Sequence, residues 1–239
     1  MRRLAIIMIA ALGLTALAAT AAQSVGSKAG ALVELALKGF GGADSVSATS
    51  SLVAHGNAEK PSGAPAAYSF YVTNAGDFRL DLVSGSRSIT RTRSSAGSYF
   101  SSGGGRLEKV EVDDDWRLVF EQKSLGLVFE LLRPELRPEY SGMGFIEGKR
   151  YEKLVLYDPA APALLVVLDG KTGQVKRTFM DTGQGPGGVF EMRFSDYSQE
   201  GELVLPHSFD EYVGGRQVLR VKLDEVLFNN DVSPHLFRP

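Results

Sequence analysis

From Leu52 onward, apolar residues recur at every second position, which predicts strands with one buried face. Residues 66–73 set Tyr68, Phe70 and Val72 on one side and Ser69, Tyr71 and Thr73 on the other. Phe78, Leu80 and Leu82 repeat the alternation after an Asn74-Ala75-Gly76-Asp77 turn, so the two segments form a hairpin. Further strands are expected at 86–93, 97–101, 106–112, 140–147, 151–157, 163–169, 175–181, 189–198, 203–213 and 217–228. Turn residues separate them, among them Gly103-Gly104-Gly105, Glu147-Gly148, Asp158-Pro159, Lys171-Thr172-Gly173, Glu200-Gly201 and Gly214-Gly215. Strands in direct succession imply an antiparallel sheet. One so wide must curl into a barrel or half-barrel, or split in two.

Two stretches carry a different period. Over residues 27–38, Ala29, Leu32, Val33, Ala36 and Leu37 recur at three and four, with Ser27 placed to cap a helix and Gly39, Gly41 and Gly42 to end it. In the middle of the chain, Ser124 heads a run in which Leu125, Val128, Phe129 and Leu132 share a helical face before Pro134 and Pro138. Each helix has an apolar face that needs a partner, so the second should plug a barrel end or cover the concave side of a curved sheet. The loose segment at 60–65 is too short to divide the chain, and a single domain over 22–239 is expected.

The N-terminus indicates export. Arg2 and Arg3 precede an apolar stretch from Leu4 to Leu17, and Ala19-Thr20-Ala21 supplies small residues for cleavage after Ala21; an uncleaved anchor is the alternative. No cysteine is present, so neither a lipid-anchored cysteine nor a disulfide framework is available, and the core alone must stabilise the fold. Without Arg2 and Arg3 the chain has 24 Lys and Arg against 28 Asp and Glu, a balance that argues against a nucleic-acid surface. Arg87, Arg91 and Arg93 share one strand face by spacing; a solvated outer face is the expectation for them, with contact to an anionic headgroup as the alternative.

Catalytic chemistry finds little support. His55, His207 and His235 show no zinc-ligand spacing, and Asp113-Asp114-Asp115 before Trp116 reads as a turn or helix N-terminus rather than a calcium loop. No G-x-S-x-G occurs, and the glycine-rich segment at 183–188 precedes a strand, not the helix a phosphate loop requires. No enzyme, metal or cofactor is therefore expected. The candidate ligand-binding residues are the in-phase apolar ones: Tyr68, Phe70, Val72, Phe78, Leu80, Leu82, Leu125, Val128, Phe129, Leu132, Phe190, Met192, Phe194, Leu219, Val221 and Leu223. They either fill a core or line a cavity for an apolar ligand.

Short landmarks lie along this framework: Gly41-Gly42-Ala43-Asp44, Phe78-Arg79-Leu80-Asp81, Val166-Val167-Leu168-Asp169, Phe194-Ser195-Asp196-Tyr197, Gly201, Leu205-Pro206, Asn229-Asn230 and Phe237-Arg238-Pro239. In that order the chain resembles the LolA-like superfamily of periplasmic outer-membrane lipoprotein carriers and sorting-protein-like half-barrels. Where the dedicated carriers have an acidic-Gly-Lys turn, Ser84-Gly85-Ser86-Arg87 stands here, so the resemblance is to the broad superfamily. It implies a mainly β (α+β) fold, a curved antiparallel half-barrel of about 11 or 12 strands with the N-terminal and mid-chain helices over its concave face. It further implies a soluble periplasmic protein that binds a lipid or acylated lipoprotein, with an envelope or membrane protein as a possible partner and no nucleic acid. The alternative on the same fold is an envelope-stress sensor or a scaffold.

Overall fold

In the computed structural model, which describes residues 28–61, 63–111 and 115–239, thirteen strands form one antiparallel sheet. The expected export segment, the Ser27 cap, Asp113 and Asp114 lie outside the described residues. The first half of the chain supplies β1 (Ser51–Glu59), β2 (Ala66–Thr73), β3 (Phe78–Ser84), β4 (Arg87–Ser94), β5 (Gly97–Ser102) and β6 (Glu108–Val110). The second half supplies β7 (Arg137–Ile146), β8 (Lys149–Asp158), β9 (Ala161–Asp169), β10 (Val175–Asp181), β11 (Val189–Glu200), β12 (Leu203–Val213) and β13 (Arg216–Phe228). The count exceeds the expected 11 or 12 because every alternating segment pairs, the three-residue β6 included.

The strand order is β6-β5-β4-β3-β2-β1-β13-β12-β11-β10-β9-β8-β7, so two meanders join where β1 pairs with β13. That order leaves β6 and β7 as the two edges. These edges are consecutive in the chain, and the residues between them must cross the mouth of the sheet to connect them. The crossing segment holds α3 (Trp116–Leu125) and α4 (Leu127–Glu130), which follow α1 (residues 28–39) and α2 (Ala43–Ser47). β7 begins at Arg137 and includes Pro138, which a strand can carry at an edge because one side of its ladder is unused.

The mid-chain helix begins earlier than Ser124. Asp115 caps it, its carboxylate accepting from the Leu118 amide at 3.2 Å, and Ser124 lies in the last turn. The helical period is hidden in the sequence because α3 is covered nearly all round: Leu118, Val119 and Phe120 are consecutive and fully buried, while Glu121, Lys123 and Ser124 are buried polar residues. Gly126 then interrupts the helix, where a Cβ would lie 2.8 Å from the Gln122 carbonyl oxygen and 3.0 Å from Val72. The break shifts the inward phase, so Leu127 and Leu131 are buried and Leu132 is turned out, 39% exposed.

α1 packs Ala29, Leu32, Ala36 and Leu37 into the core as its spacing predicts. Its far end rests on the β9–β10 turn so closely that a Cβ on Gly173, where φ is +75°, would fall 1.9 Å from the Leu35 carbonyl oxygen.

Candidate functional site

Strand register turns the apolar stripes to the concave face. Val72 lies opposite Phe78, Phe70 opposite Leu80 and Tyr68 opposite Leu82. Across the seam and onto β12, Tyr68 meets Phe209 edge to face at 5.7 Å, and Phe209 packs near Phe194. Of the sixteen candidates, fourteen are at most 7% exposed and belong to one core; Leu125 is half-buried against that core, and Leu132 lies outside it. Phe120 of α3 stacks on Phe190 at 5.7 Å, which seats the helix on the sheet.

The core is not completely filled. Between the helices and the sheet lies a void of about 40 Å³, bordered by Phe70, Leu125, Val128, Phe194 and Leu223 from the expected set. Phe40, Leu52, Val175, Tyr197, Leu205, Phe209 and Val226 border it too and were not foreseen. Leu205 and Phe209 were legible in the alternation of β12; which inward positions stay unpacked depends on where α3 and α4 settle. A void of this size admits about one or two water-sized groups, not an acyl chain.

Charge as well as apolar packing holds the helices above the void. Of the arginine stripe on β4, Arg87 is exposed as expected, whereas Arg91 and Arg93 face inward, contrary to the expectation of a solvated face, because register pairs Arg91 with Leu80 and Arg93 with Phe78. Arg91 donates through Nη1 to both carboxylate oxygens of Glu121 on α3, at 2.6 and 2.7 Å. Arg117 of α3 lies 3.2 Å from Glu121 and forks onto Glu211 of β12 at 2.7 and 2.6 Å. Lys123 reaches Glu130 at 3.2 Å and also Asp158 of β8, while Ser124 Oγ and Thr178 Oγ1 of β10 are 2.8 Å apart. Burial, followed by the opposing pull of Arg91 and the push of Glu211, moves the Glu121 carboxyl up to about 7. Asp115 is also raised, chiefly by burial.

These contacts fix where α3 sits and add to the apolar interface that Leu118, Val119 and Phe120 make with the core. Charges taken out of water recover their desolvation cost only through close, complete pairing, so a buried ion pair specifies geometry more than it stabilises. Among the described residues no group of three or more His, Cys, Asp or Glu could hold a metal, and no helix is long and apolar enough to cross a membrane.

No family model matches the sequence, and no curated protein matches it significantly. Solved structures do match by shape. A LolA superfamily protein from Nitrosomonas europaea aligns over 80% of this chain and 90% of its own at 8% identity, with a TM-score of 0.54. The chain has the LolA-like fold. A DUF1329 family protein from Desulfovibrio piger shares it, aligning over 87% of this chain and 96% of its own at 9% identity and a TM-score of 0.56.

Within the LolA-like half-barrel, the short landmarks are closure contacts. Asn229 Oδ1 accepts from the Ser50 amide at 2.7 Å, tying the end of β13 to the start of β1 where the two meanders meet. The Tyr197 hydroxyl donates to the Val175 carbonyl, and burial raises its pKa. Phe237 is buried beside the Arg79 guanidinium, which donates to the Leu236 carbonyl at 2.9 Å.

Proposed function

We propose that this protein is an exported, periplasmic binding protein for a lipid or lipoprotein acyl chain, acting in envelope lipid or lipoprotein transport. The observation that carries the reading is the apolar void beneath a helical roof that buried ion pairs, as well as apolar packing, fix to the sheet. As it stands the void is too small for an acyl chain, so binding requires α3 and α4 to lift and expose the stripes from Tyr68 to Leu82 and from Phe190 to Leu223. Each buried methylene then contributes about 0.8 kcal/mol, so part of a chain is enough to shift the roof. A partner that prefers the open form drives release by the same linkage.

The absence of cysteine makes the roof directly testable. Ser124→Cys with Thr178→Cys places two thiols where hydroxyls now stand 2.8 Å apart, joining α3 to β10. The oxidised double variant should take up no fluorescent fatty acid, and reduction should restore uptake to the level of the parent protein. Equal uptake in both states would remove the moving roof.

A specific observation favours a second reading, an envelope-stress sensor or scaffold. The interior is nearly filled, and Met143 and Phe145 on the edge strand β7 are 51% and 68% exposed. Mass spectrometry of protein taken from its native envelope under non-denaturing conditions separates the two. Reproducible co-purifying lipid supports the carrier, and ligand-free protein with an associated polypeptide supports the scaffold.

A further inference from the structure

Arg93 is placed differently from Arg91. It faces the same interior from the next inward position of β4, but its Nη1 is buried and has no hydrogen-bond partner among the described residues. Burial holds its guanidinium below the ordinary arginine range. A buried, unsatisfied charged donor is costly, so such a group is either a defect or a site awaiting an acceptor.

The surroundings favour a site. Arg93 borders a cleft of about 430 Å³ between α3–α4 and the β2–β3 turn, whose walls include Asn74, Gln122 and Arg133. The cleft shares Phe129, Arg133 and Pro134 with an adjoining pocket of about 260 Å³ that Val46 and Leu132 make apolar. A polar end thus runs into an apolar one.

The pairing of the neighbouring charges leaves Arg93 without an acceptor among the described residues. Arg93, Lys123 and Arg133 face Glu130 and Asp158, which bond to Lys123 and Arg133, and Asp115, which caps α3. Arg133 is bound in addition by Glu135, a side chain 47% exposed that lines the same cleft, at 2.6 Å. An oxyanion entering the cleft that Arg93, Arg133 and Glu135 share can displace Glu135 and supply the acceptor Arg93 lacks. Guanidinium forks match phosphate oxygens in geometry as well as charge.

We propose that this cleft is a headgroup subsite, in which Arg93 and Arg133 bind the phosphate of an anionic amphiphile while its apolar part lies against Phe129, Leu132 and Val46. The inference rests on the binding reading above and adds a preference for ligand charge to it.

Calorimetric titration of the mature protein with dodecyl phosphate, dodecyl maltoside and inorganic phosphate tests it. A charge-assisted hydrogen bond is worth enough for about a 10-fold change in affinity. Dodecyl phosphate should bind at least about 10-fold more tightly than dodecyl maltoside, and Arg93→Gln should erase that advantage while leaving the maltoside affinity unchanged. Glu135→Gln should strengthen dodecyl phosphate binding, and Arg93→Lys should keep part of it, which separates headgroup recognition from misfolding. Equal affinity for the two amphiphiles would overturn the headgroup site while leaving the acyl-binding reading intact. Binding of neither would sink both. Inorganic phosphate as tight as dodecyl phosphate would assign the site to a free anion and overturn the amphiphile.

Discussion

Replacing Arg91 by Met tests whether charge holds the roof in place. Arg91 and Glu121 are 7% and 1% exposed, and one guanidinium nitrogen serves both carboxylate oxygens at 2.6 and 2.7 Å. Without Arg91, Glu121 keeps Arg117 at 3.2 Å, a side chain already committed to Glu211. Breaking a buried pair from one side costs about 3–5 kcal/mol, and the remaining arginine places this loss near the lower end, about 3 kcal/mol. The loss should depend on pH. Arg91 favours the ionised carboxylate, so its contribution is present when Glu121 is charged and fades as falling pH protonates the group; burial already lifts that carboxyl to about 7. Urea unfolding followed by the fluorescence of Trp116, the single tryptophan and the first residue of α3, reports on the relevant element. The deficit should be largest at about pH 8.5 and shrink towards pH 5, and adding Glu121→Leu should recover most of it, because an apolar replacement for a buried pair is often neutral. A loss below about 1 kcal/mol at the higher pH, or one equal at both, would refute the reasoning.

The same carboxyl sets a pH slope in the parent protein. Its folded pKa of about 7 exceeds the ordinary 4.5, so the stability it confers is complete below 4.5 and declines by about 3 kcal/mol as pH rises to 7; calorimetric melting should show the decline, and Glu121→Gln should flatten it. Leu223→Ala removes a buried side chain from the wall of the void, which should cost about 2–4 kcal/mol in urea unfolding yet increase uptake of a small apolar dye, two effects of opposite sign from one enlarged cavity. Gly173→Ala forces a Cβ to within 1.9 Å of the Leu35 carbonyl oxygen at a φ of +75° and should cost more than about 3 kcal/mol; a melting temperature within a degree of the parent would show that α1 does not depend on that approach.

The sequence alone determined the strands and the direction they face. Alternation is a property of the pleat, so Tyr68, Phe70, Val72 and their partners could be assigned to one side before any neighbour was known. Turn residues and the helical stripe from Ala29 to Leu37 were legible for the same reason: each is a local rule applied to a few adjacent residues. The start of the mid-chain helix was missed because the buried surface of α3 carries Arg117, Glu121 and Lys123 among its apolar residues, and no local pattern tells a buried charge from a solvated one. Only its partners do, and they lie about 30 to 90 residues away in Arg91 and Glu211, with separations of 30 and 94 positions. Arg91 and Arg93 of β4 were assigned to a solvated face for the same reason, while Arg87 is exposed as expected. Where the sheet's two edges lie, which inward residues stay unpacked and which guanidinium lacks an acceptor were decided by the tertiary structure, because each depends on the path of α3 and α4 between β6 and β7.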